Sequence, residues 1–110
     1  MANTFYRKLS RSVGNTATQV GSYTVGGSTT TIVVGLNVTN TSGSAIAANV
    51  YINDGAANTS VVTEAPISSG AALVLAGGDQ KIVLESGDSV YVQSSAASSV
   101  DVVMSIMEIT

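Results

Sequence analysis

Apolar and polar residues alternate along most of this chain, and this alternation restricts the possible folds more than any other feature. The clearest example is the segment 81–92, where a Ser-Gly-Asp turn separates two short runs whose apolar members are Ile82, Leu84, Val90 and Val92. A period of two places such residues on one face of an extended strand. Two runs of this kind around a polar break predict a β-hairpin with one buried face.

The same pattern recurs with a turn about every ten residues. Further strands are predicted at 16–25, 29–40, 45–53, 61–64, 71–76 and 100–109. Because only a short polar loop separates them, 29–40 and 45–53 are expected to be antiparallel neighbours. The longest strand is predicted to point Ile32, Val34, Leu36 and Val38 inward, with Gly35 on the outer face.

These strands predict an all-β fold: an antiparallel β-sandwich or jelly roll of about seven to eight strands, with an extended N-terminal arm. A closed barrel is the alternative. Residues 16–110 are interpreted as a single β-sandwich domain. Residues 1–15 lack clear periodicity and are interpreted as the arm, either disordered or with a short helical turn around Phe5–Leu9.

The arm carries three of the four basic residues of a chain whose net charge is −3. A basic arm on an acidic body can dock on an acidic neighbour, contact nucleic acid, or remain a solvated tail. We expect a protein partner and no nucleic acid. The residues predicted to form this docking arm are Phe5, Tyr6, Arg7, Lys8 and Arg11.

The last predicted strand is apolar on both faces, which indicates burial on both sides. One face contains Val100, Val102, Met104 and Ile106, and the other Val103, Met107 and Ile109. A chain without predicted helices needs a second cover for this strand, either another subunit or its own arm. We expect another subunit, so Val103, Met107 and Ile109 are the predicted interface of a homo-oligomer, a dimer or trimer.

The side chains offer little chemistry. The chain has no cysteine and no histidine, so zinc sites and the usual nucleophile–base pairs lack their residues. Asp54, Asp79 and Asp88 lie at predicted turns, where Asp is expected for backbone reasons; a calcium site there is the weaker alternative. We therefore expect no enzyme activity, no catalytic residue, no cofactor and no metal.

Four tyrosines, Tyr6, Tyr23, Tyr51 and Tyr91, offer a possible sugar-binding platform, although tyrosines on strands more often pack against each other. Charged residues make up only 10% of the chain, far below the usual quarter or so. Such a surface suits a protein that covers itself with partners. No segment is long enough to span a membrane, and residues 1–8 lack the apolar run of a signal peptide.

Over most of its length the chain resembles the small β-sandwich virion proteins of tailed bacteriophages, particularly cyanophages. The segments that carry the resemblance are Met1–Lys8, Val13–Thr16, Tyr23–Val25, Val33–Asn40, Pro66–Gly70, Lys81–Leu84, Gly87–Val92 and Val100–Ile109. The resemblance implies a structural role in a virion assembled in the host cytoplasm, and it does not choose between a head, a neck and a tail location. We expect a capsid cement or decoration protein bound to the major capsid protein or other virion proteins. A neck or tail protein, or a glycan- or receptor-binding module, is the alternative.

Overall fold

A computed structural model describes residues 2–110 as two antiparallel β-sheets packed face to face. The strands are β1 Asn3–Val13, β2 Thr18–Gln19, β3 Thr30–Asn40, β4 Ile46–Asn53, β5 Asn58–Ile67, β6 Ala72–Ala76, β7 Ile82–Leu84, β8 Ser89–Ser94 and β9 Val100–Ile109, and a short 3₁₀ helix spans Val20–Ser22. Sheet A has the strand order β1-β9-β3-β6, with β7 also paired to β3, and sheet B has the order β2-β8-β4-β5. The predicted β-sandwich is confirmed, with nine strands.

The predicted hairpin at 81–92 is wrong. Strand β7 pairs with β3 in sheet A, whereas β8 pairs with β2 and β4 in sheet B. The Glu85–Asp88 turn therefore carries the chain from one sheet to the other. Both strands still bury one face, since Leu84, Val90 and Val92 are buried in the space between the sheets. Alternation indicates only that one face of each strand is buried. Two strands that face each other across the core show this pattern, and so do two neighbouring strands of one sheet.

The predicted pairing of 29–40 with 45–53 is wrong for the same reason. Strand β3 lies in sheet A, with β9 on one side and both β6 and β7 on the other, and β4 lies in sheet B between β8 and β5. The predicted inward row of β4 is nevertheless correct, because Ile46, Ala48 and Val50 are buried.

A β-bulge in β3 reverses the predicted faces of its first half. The register against β9 shifts between Val33 and Gly35, so Val34 is an extra residue without an opposite partner. Before the bulge, Thr31 and Val33 are buried and Ile32 points outward; after it, Leu36 and Val38 are buried as predicted. An inserted residue changes the phase of a period-two pattern, and Val-Val-Gly gives no sign of the insertion.

The N-terminal stretch is a strand of the sandwich, and the predicted helical turn at Phe5–Leu9 is wrong. Strand β1 pairs with β9 from Asn3 opposite Ile109 to Ser10 opposite Val102, followed by a bulge before Val13. The extended segment that was interpreted as an arm therefore lies along the last strand. The predicted strand at 16–25 is reduced to the two residues of β2, after which the 3₁₀ helix begins.

The core lies between the inner faces of the two sheets. Strand β9 contributes its whole inner row, Val100, Val102, Met104 and Ile106, each at most 1% exposed. The second apolar row of β9 faces away from the core, and its Val103 is 47% exposed. The core is therefore aliphatic, and burying each of these side chains contributes about 1.5–3 kcal/mol.

Tyr23 closes one end of the sandwich and holds β1 in place. Its hydroxyl donates a hydrogen bond to Glu108 Oε2 (2.6 Å) and lies 2.7 Å from Thr31 Oγ1. The ammonium of Lys8 lies 5.0 Å from the centre of the Tyr23 ring and 5.3 Å from that of Tyr6, which is cation–π geometry. Lys8 of β1 thus packs on a residue that bonds to β9 and β3.

Gly21 allows this close contact. Its φ is +59°, and a Cβ atom built there would lie 2.7 Å from Lys8 Cβ. Its amide also donates to Ser10 Oγ (2.9 Å), a second link between β1 and the 3₁₀ helix. Only glycine combines this backbone conformation with the approach of β1.

Asn40 holds the opposite end, where the chain passes between the sheets. Its side-chain amide donates to the carbonyls of Ser44 (2.8 Å) and Ile67 (2.9 Å), and its Oδ1 accepts from the amide (2.9 Å) and hydroxyl (2.7 Å) of Ser42. The Asn40 side chain is fully buried. One side chain therefore satisfies the polar groups of the crossing from β3 to β4 and of the end of β5.

Replacing Asn40 with alanine is expected to lower the free energy of unfolding by about 2–4 kcal/mol, because the carbonyl of Ile67 would remain buried without its side-chain donor. Urea unfolding followed by circular dichroism measures this. Asn15→Ala is the matched control, since Asn15 is exposed and only its backbone carbonyl accepts a bond, from Gln93. Equal stability of the two variants would contradict the role of Asn40.

The hydroxyl of Tyr23 is expected to make stability fall at high pH. Burial and the hydrogen bond to Glu108 raise the pKa of Tyr23 to about 12, above the value of about 10 in an unfolded chain. A raised folded-state pKa contributes stability that is complete below about pH 10 and is lost as the pH rises towards about 12. Urea unfolding at several pH values should show a smaller alkaline loss for Tyr23→Phe than for the wild type. At neutral pH this variant should be less stable by about 1–3 kcal/mol, and equal alkaline losses would contradict the assignment.

Candidate assembly surface

The outer face of sheet A, here called the A face, carries an apolar row that crosses four strands. Val83 of β7 lies opposite Ile32 of β3, Ile32 opposite Met107 of β9, and Met107 opposite Phe5 of β1. Phe5 is 69% exposed and Val83 61% exposed. Exposed apolar side chains scattered singly are ordinary, but a contiguous row marks a contact surface.

A second row runs parallel to the first, four residues earlier in β9. It joins Val74 of β6, Asn37 of β3, Val103 of β9 and Leu9 of β1. Only Asn37 interrupts its apolar character, and Val74 is 67% exposed. Four residues of a strand span about 14 Å, which is the separation of the two rows.

The strip between the rows is low. Gly35 of β3 lies opposite Ser105 of β9, and Ser105 lies opposite Arg7 of β1. A Cβ atom at Gly35 would be 3.8 Å from Ser105 Cβ, so these two small residues meet in the strip, and the half-buried Val34 lies beside them at the bulge of β3. The A face is therefore a pair of apolar ridges with a shallow channel between them, and Arg7 stands at its β1 end.

The structure brings together residues that the sequence predicted separately. Phe5 and Arg7, predicted in the docking arm, lie on the same face as Val103, Met107 and Ile109, predicted as the oligomer interface. Tyr6 and Lys8 have the opposite parity and point towards Tyr23, and Arg11 lies exposed at the bulge of β1. Whether these residues contact a partner remains a prediction.

Sequence reasoning missed Ile32, Val74 and Val83 on this face. The period of two does place Val74 and Val83 opposite their buried neighbours, and that was the available signal. Ile32 was assigned to the core because the bulge at Val34 has no sequence signal. The pairing of β7 with β3, which joins Val83 to the row, is not encoded locally.

The outer face of sheet B is different, because several of its side-chain amides are already engaged with the backbone. Tyr51 and Tyr91 are opposite each other on β4 and β8 and stack with ring centres 5.5 Å apart and planes within 2°. Around them, Gln19 donates to the carbonyl of Tyr23, Gln93 to that of Asn15, and Asn49 accepts from the amide of Glu64. The tyrosines pack across strands, and the neighbouring amides hold the chain's own loops.

Three aspartates hold backbone amides of turns or of the β1 bulge. Asp54 accepts bonds from the amides of Ala57 and Ala56, which hold the pKa of its carboxyl below the usual range. Asp88 accepts from the amide of Glu85, and Asp101 from that of Ser12. Within residues 2–110, no three His, Cys, Asp or Glu side chains lie close enough to share a metal ion, and no pocket forms. The described part of the chain contains no helix long and apolar enough to cross a membrane.

Neither a family model nor a curated protein matches the sequence. Among solved structures, a protein of Bacillus endospore appendages, described as disulfide-linked pili, has a TM-score of 0.55 at 16% identity, covering 100% of this chain and 91% of that one. The Drosophila NLP core, described in terms of pentamer formation and histone binding, has a TM-score of 0.51 at 8% identity, covering 96% and 98%.

A chain of the T13 IBDV viral particle has a TM-score of 0.50 at 10% identity. The match covers 96% of this chain and 34% of that one, so the protein spans about a third of the viral chain. At these identities the comparisons establish a shared β-sandwich fold. They are consistent in fold with the sequence-based prediction of a β-sandwich.

Proposed function

We propose that this protein is a non-enzymatic structural subunit of a virion that assembles with copies of itself through the A face. The observation that carries the proposal is the pair of apolar rows on that face. The neighbours in fold support it, because their descriptions concern a pilus, a viral particle and a pentamer. A β-sandwich of this shape is thus a recurring building unit of protein assemblies.

The size of the A face fits a subunit interface. The sheet is four strand positions wide, and β9 has ten residues. With about 4.8 Å between strands and about 3.4 Å per residue, the face measures about 650 Å² in projection. Stable interfaces bury about 800 Å² per partner, and the ridges add to the projected area.

Copies of this chain cannot be linked to one another by disulfides, since the sequence contains no cysteine. The proposed assembly therefore differs in the linkage between its subunits from the disulfide-linked pili whose protein has a similar fold. Apolar ridges that fill a partner's channel would supply the binding free energy through the area they remove from water.

Within a virion, the most economical role is a cement or decoration protein that binds the major capsid protein, with the basic residues of β1 reaching an acidic neighbour. A neck or tail location is the alternative. A glycan-binding role has less support, because the amides beside Tyr51 and Tyr91 are engaged with the backbone.

Immunogold electron microscopy of particles from producing cells, with antibodies against this chain, separates these locations. Label on heads supports a cement protein, and label at the neck or tail supports the alternative. Unlabelled particles from cells that contain the protein would contradict a virion role.

The oligomer itself is tested by light-scattering mass measurements on the wild type and on Met107→Glu. Met107 lies inside the first row, where a buried carboxylate would be desolvated without a partner, so the variant should weaken self-association at least about tenfold. Thr59→Glu, which adds the same charge to an exposed position of β5 in sheet B, should associate like the wild type. A monomeric wild type at up to about 1 mM, or equal loss in both variants, would contradict the A-face interface.

A further inference from the structure

A sandwich of two open sheets has four edges, and three of them are unsuited to pairing with another chain. Strand β2 has only two residues. Strand β5 has two register shifts and contains Pro66, which lacks a backbone donor. The β6 side of sheet A is divided into strands of five and three residues. Short, bulged or proline-containing edges are the usual means of preventing edge-to-edge association.

Over Asn3–Ser10, strand β1 is neither short, bulged nor interrupted by proline, and its edge protection is limited to the charges of Arg7 and Lys8. Asn3–Ser10 is paired to β9 without a register shift, and sheet A ends at β1. Phe5 and Tyr6, at 69% and 47% exposure, lie next to each other on this strand. A long regular edge with exposed aromatic side chains is a template for another strand.

The hydrogen-bond pattern shows which backbone groups face outward. Ala2 and Thr110 exchange both amide–carbonyl bonds (3.1 and 2.9 Å) and so form a hydrogen-bonded pair. Such pairs alternate along an antiparallel ladder, so the even-numbered residues of β1 bond to β9. The amides and carbonyls of Asn3, Phe5, Arg7 and Leu9 point to the open edge.

We propose that the open edge of β1 pairs antiparallel with β1 of a second copy about a twofold axis at Tyr6, which joins the two A sheets into one. In this register Asn3 lies opposite Leu9 of the other copy, and Phe5 opposite its Arg7. Both residues of each such pair are odd-numbered, so every outward amide and carbonyl of these four residues gains a partner.

Charge and the number of paired backbone groups together select this register. A register centred one residue later places Arg7 opposite Arg7, and one centred at Lys8 places two lysines opposite each other; like charges directly opposite destabilise a sheet. A register centred at Phe5 has no such conflict but pairs fewer outward groups. Centring on Tyr6 also sets the Arg7 guanidinium beside the Phe5 ring of the other copy, a favourable cation–aromatic pair.

Cysteine cross-linking tests the register directly, since the chain has no cysteine of its own. Opposite residues of a non-hydrogen-bonded pair have Cα atoms about 4.5 Å apart, within disulfide range. Tyr6→Cys should therefore form a disulfide-linked dimer under mild oxidation. In the same register the two copies of Thr4 are offset by four residues, or about 14 Å, so Thr4→Cys, also exposed, is the matched control.

Non-reducing electrophoresis should show Tyr6→Cys cross-linking about tenfold or more faster than Thr4→Cys, because paired thiols have a high effective concentration. Equal rates, a faster Thr4→Cys, or no Tyr6→Cys dimer would overturn the proposal. Circular dichroism first establishes that both variants are folded.

The edge contact and the A-face contact are separable. Tyr6→Cys combined with Met107→Glu should still form the disulfide, because Met107 does not supply the open-edge backbone groups. Loss of cross-linking only in the combined variant would overturn an independent edge contact.

Arg7→Pro, which removes one outward amide, should weaken the edge dimer. Arg7→Ala retains that amide and should weaken the dimer less than Arg7→Pro does.

Discussion

The position of β9 between β1 and β3 is the constraint on which the rest of the structure depends. Its ten residues pair with both neighbours over nearly their whole length. Its inner row, including Met104 and Ile106, is fully buried, while its outer row, including Val103 and Met107, forms the middle of the A face. A strand that is apolar on both sides is typical of burial on both faces, and in this sheet only the inner row of β9 is buried by the chain itself.

The alternation of side chains predicted the fold class and most inward rows because burial of one face is a local property. The partners of each strand were not predictable in this way. Strands β7 and β8 have the pattern of a hairpin yet lie in different sheets. A turn such as Glu85–Asp88 can connect two neighbouring strands of one sheet or two strands of opposite sheets. Sheet membership depends on which long-range ladders form, and local alternation does not specify those ladders.

The candidate surface was predictable to a similar extent. The outer row of β9 was visible because its apolar residues had no evident cover in the chain. Phe5 and Arg7 were visible as charge and aromaticity, but residues 1–15 have no alternation that identifies a strand. The inner side of β1 contains Tyr6, Lys8 and Ser10, which are polar because they pack on Tyr23 and Gly21 at the rim of the core. Bulges at Ser12 and Val34 supply the remaining errors, since neither has a distinct sequence signal.

The A face and the open edge of β1 meet at Phe5. Its side chain ends the first apolar row, and its backbone amide and carbonyl lie on the open edge. Pairing of two β1 strands would therefore place two A faces side by side in one continuous sheet and bring each Phe5 beside the Arg7 that ends the other copy's channel. The apolar surface offered to further subunits would double to about 1,300 Å² in projection. In an assembly that used both contacts, the backbone-paired dimer would bind further subunits more favourably than a single copy does, because its larger face removes more apolar area from water.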